Sequence, residues 1–90
     1  MSLNRTEKQL GLLSVIIYDF EEVGDVLPMH NHDFNTVHIT IVARGDFTIC
    51  GIGWKKDLSS GAVIDFKENQ KHEFISRSAN SRIVNIIKNI

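Results

Sequence analysis

The apolar residues of this chain fall in short β-branched runs, each closed by turn-forming residues, and no segment of ten or more residues carries a helical period. The runs are Leu13–Phe20, Thr36–Ala43, Phe47–Gly51, Ala62–Phe66, His72–Ser76 and Arg82–Lys88. Between them stand "EEVGD", "RGD", "LSSG", "KENQ" and "SANS", all rich in residues that tolerate tight turns. The stretch "ARGD" reads as a tight hairpin joining Thr36–Ala43 to Phe47–Gly51. Many short strands at even spacing give an all-β sandwich or small barrel. Residues 1–10 are polar and read as a loose or edge segment, and 90 residues suit one domain.

The bulk numbers exclude several classes. Hydrophobic content of 42% and charged content of 23% describe an ordinary globular chain, and the formal net charge is −1. Lys55, Lys56, Lys67, Lys71, Arg77 and Arg82 are scattered, so no basic face for nucleic acid is expected. "GLLSVIIYDF" runs into Asp19, Glu21 and Glu22 with no small-residue cleavage site, which reads as a strand rather than a signal peptide. No stretch reaches the ~18 apolar residues of a membrane span. The single cysteine, Cys50, cannot form an internal disulfide, and a cytoplasmic location is expected. Cys50 reads as a buried, small apolar residue without a basic neighbour.

Side chains alternate along "TVHITIVA". Val37, Ile39 and Ile41 share one face, a dense apolar stripe expected in the core. Thr36, His38, Thr40 and Val42 share the other. With apolar residues on both faces the strand is expected to be sandwiched, and His38 then needs an interior partner, a hydrogen bond or a metal.

His38 is not the only imidazole in this region. "GDVLPMHNHDFNTVHITIVARG" holds three of the four histidines, with His30 and His32 one residue apart after the only proline, Pro28. In an extended segment that spacing points both rings the same way, ~6–7 Å apart at Cα, which lets them converge on one ion at ~2.0–2.1 Å. A bare pair of this kind also suits a solvated loop. The fourth histidine, His72, opens "HEFIS"; Phe74 shares its face and Glu73 looks away.

Gly24, five residues, His30-Asn31-His32 and then Gly45 resemble the first signature of the cupin superfamily. Counting back from Gly45, His38 occupies the position of that signature's glutamate, with one extra loop residue before it. In the second signature Gly61 and His72 match, while Lys67, Asn69 and Ser76 stand where proline, glycine and asparagine are usual; Asn69 can still take a left-handed turn conformation. The resemblance covers about Gly24 to Ser76. It implies an antiparallel double-stranded β-helix, the jelly-roll barrel, and one divalent transition metal (Fe, Mn, Ni, Zn or Cu) held by His30, His32, His38 and His72. It implies a divalent-metal-binding protein of unassigned activity and, if that protein is an enzyme, a metal-dependent oxygenase, isomerase or lyase acting on a small anionic molecule. Four neutral imidazoles leave the metal charge uncompensated, which favours an anionic ligand. The alternatives are a non-catalytic module binding a sugar or effector, and a metal that only stabilises a small barrel.

By parity Thr36 and Thr40 flank His38, and Phe74 and Ser76 follow His72; all four are expected to line a cavity, with plain core packing the competing reading for Thr40 and Phe74. Asp65 reads as an outward residue near a strand end, with an acceptor for a histidine N–H as the alternative. Trp54, with Lys55 and Lys56, falls in the loop after "CGIG", where it covers a cavity mouth, a dimer contact or a patch of surface. "RIVNIIKNI" is apolar on both faces and Leu13–Phe20 is similar, so a homodimer through sheet edges or faces is expected.

Overall fold

The computed structural model describes residues 3–30, 36–66 and 70–89. Nine strands follow one another: β1 (Leu3–Leu10), β2 (Leu13–Phe20), β3 (Val26–His30), β4 (Thr36–Arg44), β5 (Asp46–Gly51), β6 (Trp54–Ser59), β7 (Val63–Asp65), β8 (His72–Ser76) and β9 (Ser81–Asn89). They form two antiparallel sheets, of order β1-β2-β9-β4-β7 and β3-β8-β5-β6. This is the jelly-roll sandwich that the strand pattern and the resemblance imply. Among the described residues no helix is long and apolar enough to cross a membrane.

Six strands coincide with the apolar runs, two of them, β2 and β8, over the same residues. β1 is the edge segment, a strand of polar residues paired with β2 along its whole length. β3 and β6 are additional. Trp54, Lys55 and Lys56 therefore lie in a strand, not in a loop.

The stretch "ARGD" is not a hairpin: β4 pairs with β7 and β9, whereas β5 pairs with β6 and β8. The chain crosses from one sheet to the other there, and Gly45 is the corner. Its φ is 90°, and a Cβ would run into the Ser78 and Ser81 hydroxyls, so glycine is required on two counts.

On β4 the interior place expected for His38 holds, but the core place expected for Val37, Ile39 and Ile41 does not. His38, Thr40 and Val42 are buried, while Val37 is 46% exposed and Ile39 and Ile41 are only half-buried. The more apolar face looks out because the polar inner residues bond one another, which removes their desolvation cost.

The shared core contains Phe20, Leu27, Val42, Phe47, Ile49, Leu58, Phe74 and Ile83. Edge-to-face rings run through it: Phe20 to Phe47 at 4.9 Å, Phe47 to Phe74 at 6.3 Å and Phe74 to Phe66 at 6.1 Å between centroids. The last of these rings borders the histidines. At the outer face of the large sheet Asp19 accepts from Arg82 Nε (2.7 Å) and Nη2 (3.1 Å) and holds that guanidinium above its usual pKa.

Cys50 is half-buried rather than buried, and its cross-strand partners are Lys55 and Glu73. It belongs to the solvent side of the small sheet, because Phe47 and Ile49 set the opposite parity as the core face.

Candidate metal centre

The inward parity of β4 carries His38, and the inward parity of β8 carries His72. These strands belong to different sheets, so the two imidazoles meet across the sandwich, with ring centroids 5.8 Å apart. Both side chains are buried, at 4% and 0% exposure.

Hydrogen bonds set the tautomer of each ring. His72 Nδ1 lies 2.8 Å from the Gln70 carbonyl oxygen. A carbonyl only accepts, so Nδ1 carries the proton and Nε2 holds the lone pair. Thr40 Oγ1 donates to Asn85 Oδ1 at 2.5 Å and lies 3.2 Å from His38 Nε2. Its one proton is committed to Asn85, so it accepts from His38 Nε2–H, and the lone pair of His38 sits on Nδ1. His38 Nδ1 and His72 Nε2 are both shielded from solvent.

Asn85 is 2% exposed and stands on β9 opposite Thr40 on one side and Ile16 on the other. An amide in the middle of an apolar strand is costly unless bonded, and here the bond runs through Thr40 to a histidine. Phe66 lies flat on His72, with centroids 3.7 Å apart and planes 9° from parallel, and sits 5.4 Å from His38. It buttresses the ring face of His72.

His30 is the Cα partner of His72 in the β3–β8 ladder, beyond a register shift that begins after Leu27. The ladder therefore brings a third histidine position beside the pair. His32 lies outside the described residues, as do Lys67, Asn69 and the side chains of His30 and Thr36. Among the described residues no third metal-capable side chain joins His38 and His72.

Thr40 is buried beside His38. Phe74 is fully buried, edge-on to His72 at 6.1 Å and part of the core. Ser76 is buried on the same strand face and donates to the Ser78 carbonyl at 2.7 Å. Asp65 is exposed, as expected from its place at the end of β7. Trp54 packs on the core, and its indole lies where a Cβ at Gly51 would be; Gly51 in turn pairs with His72.

Sequence reasoning missed Phe66, Gln70 and Asn85. The one readable signal was Asn85, a single amide with the same parity as Ile83 and Ile87 in an apolar run.

The donor chemistry fits a transition metal. Two imidazoles on one ion at ~2.1 Å each place their centroids roughly 4.5–6.5 Å apart, and the observed 5.8 Å lies inside that range. Each ring also gives its other N–H to a protein acceptor, as metal-ligating histidines do.

No protein-family model matches the chain, and no curated protein matches it either. Solved structures do. KdgF from Halomonas sp. superposes with a TM-score of 0.84 at 20% identity, over 98% of this chain and 79% of that one. An RmlC-like cupin protein from Desulfovibrio desulfuricans gives 0.84 at 17%, over 96% and 81%. A Klebsiella pneumoniae protein with a double-stranded β-helix domain gives 0.85 at 17%, over 97% and 76%. The chain thus has the cupin fold.

Proposed function

We propose that this chain binds one divalent transition metal through His30, His32, His38 and His72 and uses it on a small anionic molecule. The observation that carries this reading is the pairing of His38 and His72 across the two sheets, each with its tautomer set by a hydrogen bond to the protein. The ladder contact of His30 with His72 supports a third ligand, and the spacing of His32 from His30 a fourth. A bound metal of this kind supplies Lewis-acid polarisation of a substrate oxygen, the common feature of the oxygenase, isomerase and lyase alternatives.

The protein's own part is orientation. The Asn85–Thr40 pair aims His38, the Gln70 carbonyl and the Phe66 ring aim His72, and the apolar rings beside them lower the local dielectric. In that setting the charge of a four-imidazole site is poorly screened, so a carboxylate or enolate is favoured over a neutral ligand.

A second reading is a metal that only staples a small barrel, with no turnover. The flat packing of Phe66 on His72 over the fully buried Phe74 favours it, because that side of the site is filled by protein.

Elemental analysis of untagged protein, beside a His30→Ala/His72→Ala variant, tests the site. Near-stoichiometric metal in the parent and its loss in the variant is the expected result. Failure of the parent to take up any divalent ion on titration refutes it. A carboxylate that perturbs the spectrum of the cobalt-substituted protein would support the substrate class and the open position that the stapling reading lacks.

A further inference from the structure

Histidine takes a metal on either ring nitrogen, and the hydrogen bond made by one nitrogen decides which of the two is left to bind. His38 and His72 make different bonds, so they are set for different donor atoms.

The setting of His38 starts at Asn85. Asn85 Oδ1 and Thr40 Oγ1 lie 2.5 Å apart, and both residues are buried. That length belongs to O–H···O bonds; N–H···O bonds run longer, at about 2.7–3.2 Å. The amide therefore turns its oxygen to the hydroxyl, and the proton between them is that of Thr40, since an amide oxygen has none. A hydroxyl has a single proton to give. Thr40 Oγ1 thus meets His38 Nε2, 3.2 Å away, with lone pairs only, and Nε2 carries the hydrogen. Thr40 follows His38 by two residues on the same face of β4, so this bond also turns the tip of the ring along the strand.

His72 is set the other way. Its Nδ1 donates to the Gln70 carbonyl at 2.8 Å, two residues back along the chain, and Nε2 is the basic atom. The 5.8 Å between ring centroids suits either nitrogen of each ring, because all ring atoms lie at nearly the same distance from the centroid. The hydrogen bonds make the choice.

We infer that the metal is held by Nδ1 of His38 and by Nε2 of His72, and that Asn85, which is not a ligand, selects the donor atom of His38 through Thr40. The inference rests on the metal binding proposed above and gives that site an uneven geometry. In histidine Nδ1 is two bonds from Cβ and Nε2 is three, so the ion lies nearer to Cβ of His38 than to Cβ of His72. Asn85 is a positioning residue, and its bond reaches only Thr40. Without its oxygen the Thr40 proton turns to His38 Nε2, the ring proton moves to Nδ1, and His38 no longer offers Nδ1 to a metal.

Cadmium-113 bound to the full chain tests this by its spin couplings. A cadmium on Nε2 is three bonds from both ring hydrogens, Hε1 and Hδ2; on Nδ1 it is three bonds from Hε1 and four from Hδ2. The parent is expected to show coupling to both ring hydrogens of His72 and to Hε1 alone of His38. Thr40→Ser keeps the hydroxyl and should keep this pattern. Asn85→Leu should move the His38 proton to Nδ1 in the metal-free protein, read from the ring nitrogen shifts, and weaken cadmium binding about 10–100-fold, the usual effect of losing an outer partner. The His72 tautomer should be the same in every variant, which separates loss of the relay from loss of the fold. Coupling of His38 through both ring hydrogens, or a His38 tautomer unmoved in Asn85→Leu, would overturn the proposal and leave the metal site standing. A parent that takes up no cadmium would overturn both. The parent spectrum needs no substitution, and it decides the donor atom if Asn85→Leu fails to fold.

Discussion

Thr40→Val removes one oxygen from the interior and keeps the side-chain shape, so it isolates the relay between Asn85 and His38. Thr40 is fully buried, and its hydroxyl serves two bonds, one of 2.5 Å to Asn85 and one of 3.2 Å to His38. The variant leaves the Asn85 Oδ1 and the His38 Nε2–H without that hydroxyl in a dry interior. Each lost bond contributes about 1 kcal/mol net, and stranding a buried polar partner adds to that, so the expected cost is about 2–4 kcal/mol. For a domain of this size the melting temperature should fall by about 10–25 °C. Urea unfolding with an unchanged m-value is the assay.

The second readout is the ring itself. Nitrogen chemical shifts of the metal-free protein should show His38 protonated at Nε2 in the parent and a mixture of tautomers in the variant. Metal affinity should drop about 10–100-fold, the usual effect of removing an outer partner of a ligating histidine. Asn85→Leu on top of Thr40→Val should recover part of the stability, since one stranded amide is gone. A Thr40→Val protein within about 0.5 kcal/mol of the parent, with an unmoved tautomer, would refute the relay.

Two further substitutions probe the frame around the site. Gly51→Ala puts a Cβ into the Trp54 indole; it should cost about 1–3 kcal/mol through overpacking and shift the emission of the single tryptophan. Phe47→Ala empties the centre of the ring column, where Phe20 and Phe74 both contact it edge-on; a loss of about 3–5 kcal/mol in urea unfolding is expected, enough to unfold much of a small domain.

The strands that could be read from sequence are those that carry apolar residues on both the inner and the outer face. β2 and β8 have their observed limits for that reason. β1, "LNRTEKQL", reads as polar because an edge strand buries little and draws its order from the ladder to β2. β6, "WKKDLS", hides its strand character in the same way: only Leu58 and Trp54 pack inward.

The face of β4 was misread because hydropathy ranks Val37, Ile39 and Ile41 above Thr40 and His38. Hydropathy has no knowledge that Asn85, 45 residues later, satisfies Thr40. The corner at Gly45 was misread for a related reason: a glycine between two strands looks alike whether they pair or part. At the site, the histidines were legible because their residue type is rare and their spacing characteristic. Phe66, Gln70 and Asn85 were not, since each acts through a tertiary contact that leaves no local pattern.

β9 also bears on the order of folding. Both of its neighbours, β2 and β4, precede it by long stretches of chain, and neither has its inner partner until Ser81–Asn89 is in place. Pairings of such sequence separation close slowly, and among the described residues the pairings of the larger sheet that do not involve β9 are the local β1–β2 hairpin and the short β4–β7 ladder. Until then the aliphatic stripes of β2 and β4 are open strand edges, the state most prone to pairing with the wrong chain. The segment that delivers Asn85 to Thr40 is the one that completes the sheet, so a correctly held His38 marks a molecule that has finished folding.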